Sequence, residues 1–243
     1  PVAAAGLRTH PAGSGLERDV LGSTMAGEYA LQAGRLDEAV EWYLNASRAA
    51  DGDAGLAERT TRIALLGNDD RKAAEALALW KARVPRSLPI RAAEATLAMR
   101  GGKQRVARRE LESLLRDPDP TAWRYAVSVL GSGSRDPQVP ARLIAQLLDA
   151  GAIPDELQAW MAMGTLAYGL EQGDLADRIS QQIVARFPGE PRVALLRARQ
   201  LRDAGRPDDA RALLVAVETV AQSAPELRFA VAAEDDALGD FKG

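Results

Sequence analysis

Small and large apolar residues return along this chain at a fixed step. Ala39, Ala73 and Ala107 stand 34 residues apart, and each lies five residues after a turn-forming position, Gly34, Asn68 or Gly102. Downstream of each alanine the apolar residues continue at helical spacing, as Tyr43 and Ala46, Leu77 and Trp80, Leu111 and Leu114. Positions spaced in this way fall on one stripe of a helix, so each copy predicts the second helix of a pair, buried along that stripe. The small alanine lets the paired helix approach, and the larger residue one turn on fills the space beside it. Gly34 permits the left-handed backbone that ends a first helix, and Pro85, Pro118 and Pro120 block continuation of the second.

Further on the phase persists with damage. Ala141 again follows Ala107 by 34 residues, but the Gly/Ser-rich stretch 131–137 before it is longer than the other turns and reads as an irregular surface loop. Gly173, Asp174 and Leu175 open another second helix, which ends at Phe187 and Pro188 and leaves Arg178 in the place of the small residue. Regularity returns at Gly205, Ala210, Leu214 and Val217, and Gly239 lies 34 residues after Gly205. The prediction is an all-α fold, a right-handed α-solenoid of about six helix pairs plus a truncated seventh. It occupies residues 18–243 behind a flexible leader at 1–17, and the natural protein is expected to continue past the last residue.

Composition narrows the chemistry. With 243 residues, 47% of them apolar, the chain can bury a core without disulfides or a structural metal. Only 5% are aromatic and Ala, Leu, Arg and Glu abound, a balance that favours helices over strands. A net charge of -3 argues against a protein whose task is to neutralise phosphate backbones, so no nucleic-acid partner is expected. The absence of Cys removes thiol nucleophiles and Cys-based zinc sites, and the single imidazole, His10, lies in the leader. No run of 18 apolar residues is present to span a bilayer, and Pro1 to Gly15 lacks the basic end and apolar stretch of a signal peptide.

The charged clusters have structural explanations. Asp37/Glu38, Asp69/Asp70, Asp208/Asp209 and Asp235/Asp236 fall at expected helix starts or turns, where acidic groups favour the helix dipole. Gly101 and Gly102, and the Gly/Ser run 131–134, lack the Lys-Ser/Thr ending of a phosphate loop. The basic run 103–109 is followed by Glu110 and Glu112 and reads as a solvated helix face. Trp42, Trp80, Trp123 and Trp160, with Met161 and Met163, read as packing residues. Arg192, Arg199, Arg202 and Arg206 cluster within about 80° on a helix and form the more interesting basic stripe, suited to an acidic or phosphorylated partner segment. No nucleophile–base pair or metal-ligand set emerges, so the expectation is a non-enzymatic protein without a cofactor or metal.

Residues 26–46 resemble the tetratricopeptide repeat family closely, with Gly27 and Ala30 in the first helix, Gly34 at the turn, then Ala39, Tyr43 and Ala46. The resemblance implies that first helices line a concave groove. Thr24, Glu28, Arg62, Leu65, Thr96, Met99 and Arg100 would then line it, joined by Arg192, Arg199 and Arg202, while Gly34, Ala39, Tyr43, Ala73, Trp80, Ala107, Gly205 and Ala210 hold the repeat together. Thr24 and Glu28 stand where the carboxylate-clamp members of the family carry Lys and Asn, so groove binding through scattered contacts is the expected mode. Residues 26–85 are similar to the first repeats of proteobacterial outer-membrane tetratricopeptide lipoproteins, one of which is an adaptor for a carboxyl-terminal processing protease. That likeness implies a periplasmic adaptor that binds a protease or cell-wall hydrolase, with a lipid anchor that this sequence does not carry. Two alternatives stand beside it: the helical support of a cell-wall enzyme such as a lytic transglycosylase, and a cytoplasmic scaffold.

Overall fold

The computed structural model describes residues 15–50, 52–85, 87–134, 136–221 and 225–239. These form thirteen α-helices, with no strand among the described residues. The chain divides into two compact units, one ending at Leu114 and the other beginning at Leu115. The first holds α1 (Gly15–Gln32), α2 (Leu36–Ala49), α3 (Ala54–Leu66), α4 (Asp70–Arg83), α5 (Leu88–Arg100) and α6 (Gln104–Leu115). The second holds α7 (Ala122–Ser132), α8 (Gln138–Asp149), α9 (Leu157–Gly169), α10 (Gly173–Arg186), α11 (Pro191–Asp203), α12 (Pro207–Ala221) and α13 (Pro225–Gly239). Helix α1 starts earlier than the expected leader boundary at residue 17; the leader's residues 1–14, His10 included, lie outside the described ones, as does 240–243 of the expected seventh turn.

Local chemistry sets the helix ends. Asp53, Asp69 and Ser87 each accept a hydrogen bond from the backbone N–H three residues on, at 2.9, 3.0 and 3.3 Å, and so satisfy a donor that the first helical turn leaves free. Five hairpin turns share one geometry. Gly34, Asn68, Gly102, Glu171 and Gly205 have φ between 57° and 73°. After each, the next residue's N–H reaches back to a carbonyl in the first helix, at 2.8 to 3.0 Å: Arg35 to Ala30, Asp69 to Ala64, Lys103 to Ala98, Gln172 to Ala167 and Arg206 to Leu201. This double-bonded left-handed cap closes a helix and turns the chain in two residues.

The turns correct the register of the fifth pair. Its left-handed residue is Glu171, not Gly173, so the small residue five places on is Ala176. Arg178 lies on the surface and pairs with Asp149 at 2.5 Å. Sequence inspection favoured Gly173 because Glu seldom takes positive φ. The fourth pair is the irregular one: α7 and α8 are joined through 133–137, and Gly151 makes the left-handed cap at the end of α8 instead of between the two helices.

Ala39, Ala73, Ala107 and Ala210 are all fully buried, as the repeat requires. In the first unit Ala30, Ala39, Val40, Tyr43, Ile63, Ala64 and Ala73 form one apolar cluster, and Trp80 packs with Ala57, Leu77, Ile90 and Ala93 in the next. In the second unit Ala198, Ala210, Leu214 and Leu238 cluster, so α13 covers the last hairpin. Two packing expectations are corrected. Trp42 and Met161 are exposed, because each falls outside the arc of buried positions on its helix, whereas Trp80, Trp123, Trp160 and Met163 are buried. Asp235 and Asp236 lie inside α13 and not at a turn.

Candidate protein-interaction surface

The first helices carry the residues expected to meet a partner, and their side chains divide into structural and available ones. In the first unit Glu28 accepts hydrogen bonds from the Tyr43 hydroxyl and from Arg59, whose Nε also donates to the Tyr43 oxygen at 2.9 Å. Burial and the Glu28 carboxylate push the Tyr43 hydroxyl up to about 12. This triad ties α1, α2 and α3 together, so Glu28 is engaged within the fold. Thr24 and Thr96 donate to the carbonyls of Val20 and Ala92, four residues back, at 2.8 and 2.9 Å. Arg100 donates to the Leu65 carbonyl at 3.1 Å and to Asp70 at 3.0 Å, which caps the end of α3 from the neighbouring hairpin.

Met99 is buried and is therefore corrected from a groove contact to a core residue. Arg62 stays exposed and pairs along its own helix with Glu58 at 2.5 Å, and Leu65 is half-buried against the core while Leu66 beside it is exposed. Elsewhere the Glu41 carboxylate holds the Lys72 ammonium above its usual range, and the Lys72 backbone N–H holds Asp69 below the usual carboxylate range.

In the second unit the arginine stripe breaks up. Arg202 is largely buried and forms an ion pair with Glu234 of α13, so it is corrected from a partner contact to a structural bridge. Arg206 pairs with Asp209 at 2.6 Å at the start of α12. Arg192 and Arg199 are exposed on α11. Sequence reasoning missed an apolar row on the same series of helices. Met161 on α9, Leu195 on α11 and Phe229 on α13 follow one another at the 34-residue step, and Phe229 is 79% exposed. Tyr168, near the end of α9, is equally exposed. The signal was present in the spacing, but the misplaced turn at Gly173 hid the phase that relates Met161 to Leu195.

Among the described residues no group of three or more His, Asp or Glu side chains is placed to hold a metal ion. Among the described residues no helix is long and apolar enough to cross a membrane.

No family profile matches the chain, and no curated protein matches it by sequence. Solved structures do overlap with it. A tetratricopeptide repeat protein from Parabacteroides merdae is 14% identical with a TM-score of 0.43, over 92% of this chain and 93% of that one. PilW, described as a widely conserved type IV pilus biogenesis factor, is 16% identical with a TM-score of 0.41, over 86% and 97%. MamA is 11% identical with a TM-score of 0.37, over 86% and 96%. Superpositions at this level are loose, and the architecture rests on the chain's own helices, turns and buried alanines. The fold is an all-helical array of tetratricopeptide-type hairpins. Within such hairpins the second helices supply the small-residue stripe, and the first helices α9, α11 and α13 carry Met161, Leu195 and Phe229 at equivalent places, with Met161 and Phe229 exposed and Leu195 half-buried against the core.

Proposed function

We propose that the chain is a non-catalytic scaffold that holds another protein against its first helices, and that it serves as a periplasmic adaptor for a processing protease or cell-wall hydrolase. The observation that carries the scaffold reading is the exposure of Met161 and Tyr168 on α9 and of Phe229 on α13, with Arg199 exposed on α11. Large apolar side chains held in water favour a partner that buries them, and the exposed Arg199 cation adds selectivity for a partner with acidic groups. The adaptor role is supported by the likeness of residues 26–85 to outer-membrane lipoproteins of that kind. Its anchor and its place in the cell are part of the proposal.

The test is capture from a cross-linked cell envelope by the chain and by its Phe229→Asp and Met161→Asp forms. Recovery of a carboxyl-terminal processing protease or a cell-wall hydrolase by the parent chain, lost in both variants with unchanged melting, is the expected result. Equal recovery by parent and variants overturns the first-helix face as the binding surface. Recovery of cytoplasmic partners alone overturns the adaptor role.

A further inference from the structure

The second hairpin stacks on the first through a defined set of positions, and the first hairpin exposes the same set. On α3, Arg59 bonds to Glu28 and Tyr43, and Ile63 joins the cluster of Ala30, Ala39, Val40 and Tyr43. On α4, Ala76 is fully buried one turn after Lys72, which reaches Glu41 of α2 at 2.6 Å. One repeat earlier, 34 residues back, these places hold Met25, Tyr29 and Trp42. All three are exposed, as is Leu21 one turn before Met25 on α1. Apolar residues thus stand in water at positions that the next repeat buries. A terminal hairpin that ends a solenoid in solvent carries a polar outer face, and α1 does the reverse. Its only charged residue between 20 and 33 is Glu28, which is already engaged by Tyr43 and Arg59.

We infer that this face joins two copies of the chain in a closed two-fold dimer, α1 against α1 in antiparallel sense with Met25 near the axis. Leu21, Met25 and Tyr29 recur every fourth residue, the ridge that packs between the ridges of a like helix. A two-fold axis at Met25 sets each Tyr29 across from Leu21 of the other copy. Gly22, beside Leu21, is exposed with open space where a Cβ would stand, so the larger Tyr29 ring has room to enter. With no free charge on α1 to select an acidic or basic partner, the match for this face is an equally uncharged apolar one, and a second copy supplies it. The four side chains are 43 to 69% exposed, roughly 500 Å² per copy and on the order of 1,000 Å² for the pair before the surrounding polar residues are added, which reaches the size of a specific interface. Arg35, paired with Glu38 at 2.9 Å, lies 5.6 Å from the Tyr29 ring centroid and marks the polar rim. The face lies wholly in the first unit and shares no residue with the exposed groups of α9, α11 and α13, so it stands independently of the scaffold reading.

The whole chain has a mass of 25.9 kDa and no cysteine, so its solution mass and single-cysteine cross-linking both test the pairing. Sedimentation equilibrium from low micromolar to sub-millimolar concentration is expected to show one monomer–dimer equilibrium. Met25→Lys sets two ammonium groups together at the axis and is expected to weaken the dimer by about tenfold or more with helicity unchanged, since Met25 is exposed in the single chain. Val215→Lys, at an apolar position of similar exposure on α12, is expected to leave the equilibrium as it is. Under mild oxidation Met25→Cys should cross-link to itself, and Leu21→Cys mixed with Tyr29→Cys should cross-link more than either does alone. A single-chain mass at every concentration overturns the inference, whether another protein or residues 1–14 occupy the face. So do a dimer that Met25→Lys leaves intact, one that Val215→Lys breaks equally well, and growth beyond two copies. Cross-linking of Leu21→Cys or Tyr29→Cys to itself in preference to the mixed pair also overturns it, because the helices would then run parallel.

Discussion

The Tyr43 ring occupies the room that Gly27 leaves open: a Cβ at Gly27 would stand 2.8 Å from Tyr43 Cδ2, inside any real carbon contact. The two residues sit on the paired helices α1 and α2, and Tyr43 is fully buried. Close helix approach and ring packing are thus one requirement met by two residues. Gly27→Ala is expected to destabilise the chain by about 1–3 kcal/mol, because the ring must shift within a close-packed core. Denaturant unfolding checks this, and Gly27→Ala combined with Tyr43→Leu should cost less than the sum of the two single changes.

The hydroxyl of Tyr43 gives the fold a pH dependence. Its folded value, pushed up from 10.0 to about 12, means that the unfolded chain loses this proton first as pH rises. The contribution is therefore complete below about pH 10 and disappears as pH climbs through 12, a loss of roughly 2–3 kcal/mol at most. Melting temperature measured from pH 8 to 12 should fall more steeply for the parent chain than for Tyr43→Phe over that window.

Arg199 and Arg202 separate surface from structure. Arg199→Glu should change stability by within about 0.5 kcal/mol, as exposed substitutions usually do. Arg202→Glu faces Glu234 with a like charge in a largely buried place and should cost about 3–5 kcal/mol. Equal melting temperatures for the two variants would contradict the bridge between α11 and α13.

Glu171 holds a left-handed backbone at φ 58° where three of the other four hairpin turns carry glycine. Glu171→Gly is expected to raise stability by up to about 1 kcal/mol, since the side chain's clash with its own backbone is relieved at a position the turn already fixes. A lowered melting temperature would show that the Glu171 side chain makes a contact that outweighs its strain.

Ala73 is the most direct test of the repeat. Ala73→Glu buries an unpaired carboxylate at a helix crossing and should cost on the order of 3–5 kcal/mol, visible as a large drop in melting temperature.

The sequence by itself determined the helical hairpins, their 34-residue step and the buried alanines, because small-residue stripes and left-handed caps are local requirements written at fixed spacing. Ala39, Ala73, Ala107 and Ala210 could be placed without any knowledge of the partner helix, since only a small side chain suits a crossing at that phase. Tertiary structure alone decided which polar side chains remain free. Arg202 and Arg199 lie on the same helix three residues apart and look alike in sequence, yet one meets Glu234, more than thirty residues downstream, and the other meets water. Met99 turns into the core and Phe229 stays out of it for the same reason: exposure depends on which neighbouring helix covers a face, and that is settled by packing between elements and not by the period within one. The fifth turn belongs to both accounts. Its step of 69 residues from Gly102 to Glu171 is one more than two repeats, so the irregular fourth pair shifts the phase by a residue, and a glutamate in a glycine's conformation could be recognised only from the backbone that holds it there.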